Sequence, residues 1–477
     1  MSTPASRKHP AALRDGGPCL AEWIIAGVIG VLALVCFQHP DIWETSNHSW
    51  ILLESIFSGR FLDFYQVVEA REFPLYYING ANYSIALYLL FALWQLPVWV
   101  ICKLGGLAIN EYFLLFYSKV LPAAAFGLCA LLMVRLARGA GLSEGDSRWC
   151  GLGLLLCPPA VFGCLVMGQY DSLCLVLTLW GLLFYQKGEL RRFVLVFGAA
   201  AAFKFFPLLL LVPLLLLAEK RPSRVIGLGA LSLWLVALCT LLFLGRTGSA
   251  NNFTLQMFGR LLKAGLPGGM GTVSFFVLGY ALLAVACWLY RPEAGQLSGA
   301  LPLYLCMAVY GLLLVCIKWH PQWVILVCPF LILCAFLQKD RLPWLALLAV
   351  FSAGFFLLVF FEFPYQMDAN LFDYGMVTVL TGRVATRMPD RTTASQLLEK
   401  IPFLVQLAPA LFTVPVLTGM AFQLPLGRGS LGDRLMNGQA PAAHPAWVRV
   451  LVWGGFLFGL FVCWFAPALW AWVQCFA

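Results

Sequence analysis

Four short polar stretches interrupt an otherwise apolar chain, and their residue types suit one kind of reaction. The first, HPDIWETSNHSW (39–50), carries Asp41, Glu44 and His48 at spacings of three and four. One face of a helix would present all three. The second, MGQYDSL (167–173), holds Gln169 and Asp171. The third, AFKFFPLLLLVP (202–213), sets Lys204 inside an apolar run, where a charge costs roughly 2.5–3.5 kcal/mol on insertion scales. The fourth, IKWHPQWV (317–324), offers Lys318, His320 and Gln322 among tryptophans. Lys119 is a fainter fifth member. A carboxylate can take the proton of an incoming hydroxyl while cations hold the charge developing on a departing phosphate. Asp41 suits the base, with Glu44 its rival; Lys204 and His320 suit the phosphate. Each stretch also has a plainer reading. Asp41 and Asp171 can cap helices, Lys204 can snorkel to the interface, and Trp319 and Trp323 can belong to an interfacial belt.

The elements that must position these residues are membrane helices. Of the 477 residues 61% are hydrophobic and only 11% charged, against about 25% charged in a soluble domain. The apolar runs approach 20 residues, the length of helix that crosses a ~30 Å hydrocarbon layer. Strand-type alternation is absent, which excludes barrel staves and predicts an all-α polytopic protein. The first run starts near Cys19 and has no small-residue cleavage site behind it, so it reads as a retained span. A net charge of +9 raises the possibility of nucleic acid, but the basic residues sit in short loops and not on one face. Cysteines such as Cys36, Cys129, Cys174, Cys287 and Cys328 lie inside apolar runs as small hydrophobes. No pair or cluster has metal-ligand spacing.

Spans are expected near 19–37, 112–134, 149–167, 172–186, 224–245, 273–290, 300–318, 322–338, 342–361, 402–423 and 447–472. The stretch 192–219 reads as two short helices broken near Phe205–Pro207, because basic clusters flank both of its ends. The stretch 84–104 is long enough to cross, but topology argues that it lies along the outer face. With about 13 spans and 84–104 outside, eighteen of the 31 lysines and arginines share one side. By the positive-inside rule that side is the cytoplasm, and the N-terminus joins it. Residues 1–18 then form a cytoplasmic tail, 19–340 the main transmembrane region and 341–477 a C-terminal transmembrane region. The long segments 38–111, 246–272 and 362–401 fall outside, and the Gly/Pro/Ala-rich loop 424–446 falls inside. All four polar stretches land at outer helix ends.

In this order and topology the chain resembles the GT-C superfamily of glycosyltransferases. The features are an acid after the first span, a GQYD turn, a lysine beside a short helix pair and a histidine-containing outer turn. It is most similar to bacterial membrane mannosyltransferases related to the second mannosyltransferase of GPI-anchor assembly. The resemblance covers roughly residues 20–340. It implies a GT-C-like bundle with surface helices in the first outer loop. It also implies an inverting hexosyltransferase that uses a polyprenyl-phosphate sugar donor, with neither metal nor cofactor. The acceptor would be a cell-envelope glycolipid or glycan polymer on the non-cytoplasmic face of a bacterial plasma membrane. By this resemblance Asp41 is the base, with Glu44 the alternative since Ile42 and Trp43 replace any second acid beside Asp41. His48, Gln169, Asp171, Lys204, His320 and Gln322 would line the substrate. Two other classes stay open on the residues alone. Helices broken at charges also occur in transporters and flippases of lipid-linked sugars, and a polymerase or ligase would bind the same lipids.

Overall fold

A computed structural model describes residues 16–37, 39–71, 80–109, 111–246, 259–268, 271–293, 295–363 and 399–425, with Gln396 and Gly454. It is a mostly helical bundle rich in apolar helices, as the composition requires. Among the described residues four helices are long and apolar enough to cross a membrane, or six if two bent pairs count as single spans. The expected span 447–472, apart from Gly454, and most of the loops 362–401 and 424–446 lie outside the described residues.

Helix α1 (Leu20–Cys36) and α5 (Glu111–Gly139) fix the two ends of the bundle. At one end Trp149 donates through Nε1 to the Gly16 carbonyl (2.8 Å), just before α1 begins. At the other, the Lys119 ammonium donates to the carbonyls of Leu34 (2.9 Å), Phe37 (2.6 Å) and Val166 (3.4 Å). A cation on the orphan carbonyls of a helix C-terminus is favourable there. The faint fifth member of the polar set is therefore a capping residue that ties three segments together.

Several expected single spans are broken. Residues 149–167 form a pair bent by 52°: α6 (Glu144–Leu155), then α7 (Pro158–Val161) running into a π turn over Phe162–Val166. Pro158 and Pro159 lack amide hydrogens, so the hydrogen-bond ladder cannot pass through them. After α8 (Asp171–Gln186), the run 192–219 divides into α9 (Leu190–Phe203) and α10 (Phe206–Ala218). The break falls at Lys204, which is extended, and Phe205. Residues 224–245 bend by 44° between α11 (Pro222–Ser232) and α12 (Trp234–Leu242). The all-helical expectation misses one hairpin. β1 (Gly265–Gly268) pairs antiparallel with β2 (Gly271–Ser274), Gly265 facing Ser274. Strands this short and glycine-rich carry no alternation to read. Helices α13 (Phe275–Leu289), α14 (Ala300–Cys316), α15 (Cys328–Phe336), α16 (Leu342–Glu362) and α17 (Pro402–Phe422) complete the bundle.

The segment in dispute is α4 (Ile85–Gly105), which qualifies as a span by length and composition. Its side-chain partners sit at one end of the bundle. Trp94 Nε1 donates to the Tyr117 carbonyl (2.8 Å), and the Tyr117 hydroxyl donates to the Trp94 carbonyl (3.0 Å). Gln95 Nε2 donates to the hydroxyls of Ser46 (2.9 Å) and Ser118 (2.8 Å). Trp99 stacks on Phe57, and Lys103 pairs with Glu54 at 3.4 Å. Ser46, Phe57 and Glu54 belong to α2 (Pro40–Phe57), which follows α1 directly. Residues 117 and 118 belong to the part of α5 that overhangs α1 beyond Lys119. α4 also meets Tyr170 through Phe91 and packs against α9, so its contacts fit either a surface helix at this end or a span.

Impermeant thiol labelling of single cysteines tests this placement. Ser147 and Ser172 are fully buried and unsuited to it, whereas Ser58, Leu107 and Ser223 are exposed. In intact cells we expect Ser58→Cys and Leu107→Cys to react and Ser223→Cys to react only after permeabilisation. If Leu107→Cys behaves like Ser223→Cys, α4 crosses the membrane.

Candidate active site

Asp41 occupies the second position of α2. Pro40 precedes it, a residue pre-set for the first helical turn, and His39 Nδ1 accepts the Asp41 amide hydrogen at 3.2 Å. The cap is thus His39, which frees the Asp41 side chain from the capping role. One carboxylate oxygen, Oδ2, accepts from Gln169 Nε2 (2.8 Å) and, more weakly, from Gln322 Nε2 (3.4 Å). The other, Oδ1, lies 3.7 Å from His39 Nδ1. The side chain remains about one-third exposed. Two amide donors grip one oxygen, and the other has His39 beside it.

Local structure explains why two glutamines distant in sequence meet there. The π turn ends with the Met167 amide on the Phe162 carbonyl (2.9 Å), and the Gln169 amide returns to Gly163 (3.0 Å). Gly168 makes the reversal with φ of +67°, and a Cβ there would strike the Lys119 side chain. Only glycine fits both demands. Gln322 comes from a 3₁₀ turn, Pro321–Leu326, which restarts the chain after α14. Both glutamines are buried.

Asp171 and Lys204 are brought together at the start of α8 and the α9–α10 break. Lys204 Nζ lies 2.6 Å from Asp171 Oδ2, with the side chains 6% and 0% exposed. The ammonium also stands over the rings of Tyr170 (4.7 Å) and Tyr83 (5.5 Å). This alters the expected role of Lys204. Its charge is balanced by the Asp171 carboxylate, a partner that the sequence does not reveal. Asp171 Oδ1 and Gln169 Oε1, both buried, accept no hydrogen bond from any of the described residues.

His320 begins the 3₁₀ turn and packs edge-on against Trp323, with centroids 5.1 Å apart. Burial, then the positive charge of Arg260, pushes its pKa down from 6.5 to about 4. The folded state therefore favours neutral imidazole. Its contribution to stability is complete above about pH 6.5 and is lost as the pH falls toward 4. Burial thus works against the cationic imidazole expected from sequence.

Two expected members turn elsewhere. His48, two helical turns beyond Asp41, is buried edge-on against Tyr88 at 5.6 Å, inside the small core between α2 and α4. Glu44, half-buried one turn beyond Asp41, has Tyr88 as an electrostatic neighbour. The three positions do share one face of α2, but Asp41 and His48 stand about 10 Å apart along the axis, so they meet different neighbours.

Sequence reasoning missed Arg260, in the second long loop. Its guanidinium stands 5.9 Å from the Trp323 ring centroid and acts on His320. No carboxylate among the described residues forms an ion pair with it. The available signal was an arginine on the side that the basic loops avoid. Tyr83 was missed too, because nothing in its surrounding sequence marks it. Among the described residues no three His, Cys, Asp or Glu side chains gather as a metal site would require. No protein-family model matches the chain, and no curated protein matches it.

Proposed function

We propose that the chain is an inverting glycosyltransferase of the GT-C type, moving a hexose such as mannose or glucose from a polyprenyl-phosphate donor to a glycolipid or glycan acceptor. The observation that carries this reading is the Asp41 carboxylate. It is one-third exposed, held by two amides on one oxygen with His39 beside the other, and Arg260 nearby has no carboxylate partner among the described residues. Asp41 Oδ1 would accept the proton of the acceptor hydroxyl as that oxygen attacks the anomeric carbon. The departing polyprenyl phosphate takes the bonding electron pair, and Arg260 with neutral His320 would stabilise it. The unpartnered acceptors of Gln169 and Asp171 would take sugar hydroxyls. In this reading about 13 helices span a bacterial plasma membrane, with the N-terminus cytoplasmic and the Asp41 end outside.

A second reading is favoured by one observation, the buried Asp171–Lys204 pair at a helix break. Such pairs also mark transport pathways. Purified chain in vesicles, given radiolabelled polyprenyl-phosphate mannose or glucose and envelope glycolipids, should form a new labelled glycoside. Arg260→Gln removes one charge-assisted contact worth roughly 1.5–3 kcal/mol, so activity should fall about ten- to a hundredfold. Movement of intact donor across the vesicle, with no new glycoside, would favour transport.

A further inference from the structure

We propose that the end of the bundle opposite Asp41 holds a binding site for the phosphate of an anionic membrane lipid. The inference requires only that the helices lie in a bilayer and does not depend on the glycosyl-transfer chemistry. A cavity of about 780 Å³ opens between the α8–α9 and α10–α11 junctions. Helices α9 and α10 hold Lys204 at one end and this cavity at the other. With 14 and 13 residues they separate the two by about 20 Å.

The charge balance of the cavity is what selects an anion. Its lining sets Arg191, Arg192 and Arg224 against Glu189 and Glu219. Both carboxylates are engaged: Arg192 holds Glu189 at 2.7 Å and Arg224 holds Glu219 at 3.0 Å. Lys220 turns its ammonium onto the carbonyls of Leu216 (2.5 Å) and Cys287 (2.6 Å). Arg191, on the cavity wall, has no carboxylate partner among the described residues. Two sides of the site are thus cationic, and guanidinium groups grip phosphate oxygens in pairs.

The third side is apolar and points to a lipid in preference to a soluble anion. Leu228 and Leu231 of α11 line the cavity. The same helix carries Ile226, 71% exposed, on its surface. A headgroup in the cavity would place its acyl chains against that surface, the arrangement of basic pockets between membrane helices.

The test uses the full chain purified in uncharged detergent, with binding followed by native mass spectrometry and by thermal unfolding. Phosphatidylglycerol should bind and raise the unfolding temperature, while phosphatidylcholine and millimolar inorganic phosphate should not. The Arg191→Gln/Arg224→Gln variant should bind phosphatidylglycerol at least tenfold more weakly. If Arg224→Gln disturbs folding by releasing Glu219, Arg191→Gln alone should still weaken binding, since it strands no carboxylate. Equal stabilisation by phosphatidylcholine would overturn the headgroup assignment. An equal effect of inorganic phosphate would mean a soluble-anion site, and undiminished binding by the arginine variants would place the lipid elsewhere. Sugar transfer by the variants, measured in detergent, should be unchanged, so failure here leaves the Asp41 assignment standing.

Discussion

Asp41→Asn should reduce sugar transfer by at least a hundredfold, with expression and donor binding nearly intact. An alcohol attacks poorly until its proton is accepted in the transition state, and a positioned base contributes about 10²–10⁴-fold. The asparagine carbonyl can still accept from Gln169 and Gln322, so the substitution keeps shape and anchoring and removes basicity. Glu44→Gln should be milder, because Gln169 and Gln322 bond the Asp41 carboxylate and Glu44 lies one turn further along α2. Rates with saturating labelled donor would separate the two acids. Should Glu44→Gln be dead while Asp41→Asn keeps more than a few per cent, the base has been misassigned. If both variants transfer sugar normally, glycosyl transfer at this centre is excluded.

The second large effect is on folding. Lys204→Met should destabilise the protein by about 3–5 kcal/mol, because it strands the Asp171 carboxylate in a fully buried position. Asp171→Asn should cost a similar amount by stranding the ammonium. The double variant Lys204→Met/Asp171→Asn should recover much of the loss, since two stranded charges vanish together. Unfolding of the four proteins in mixed micelles forms the cycle. A phosphate-binding role for Lys204 predicts a different pattern: normal stability, a raised KM for donor and no recovery in the double variant. That pattern would return Lys204 to the role its sequence first implied.

The difference between these outcomes marks what the sequence could reveal. The lysine and the proline at 204–207 locate a helix break, because both are local violations of an apolar helical run. The partner of that lysine is not local. Asp171 lies 33 residues away in sequence, and only packing of α8 against α9 brings them together. His48 fails for the opposite reason. Its spacing from Asp41 is regular, but spacing cannot state which flank of α2 meets α4. Arg260 meets the 3₁₀ turn through the Trp323 ring, a contact between segments about 60 residues apart that no local pattern shows. The bend near residues 232–234 is hidden because hydropathy continues unbroken through it, whereas Pro158 and Pro159 mark the bend near 156–158 in the sequence itself.

The helices around the candidate site are short. α8, α9, α10 and α13 have 16, 14, 13 and 15 residues, or about 20–24 Å, against a hydrocarbon thickness of ~30 Å. The surrounding bilayer must deform to meet them, at a cost of fractions of a kcal/mol for each ångström of mismatch. Thin, short-chained lipids relieve that elastic strain and thick ones increase it. Under the proposed function, a membrane-anchored substrate would then approach the Asp41 carboxylate through a thinned bilayer.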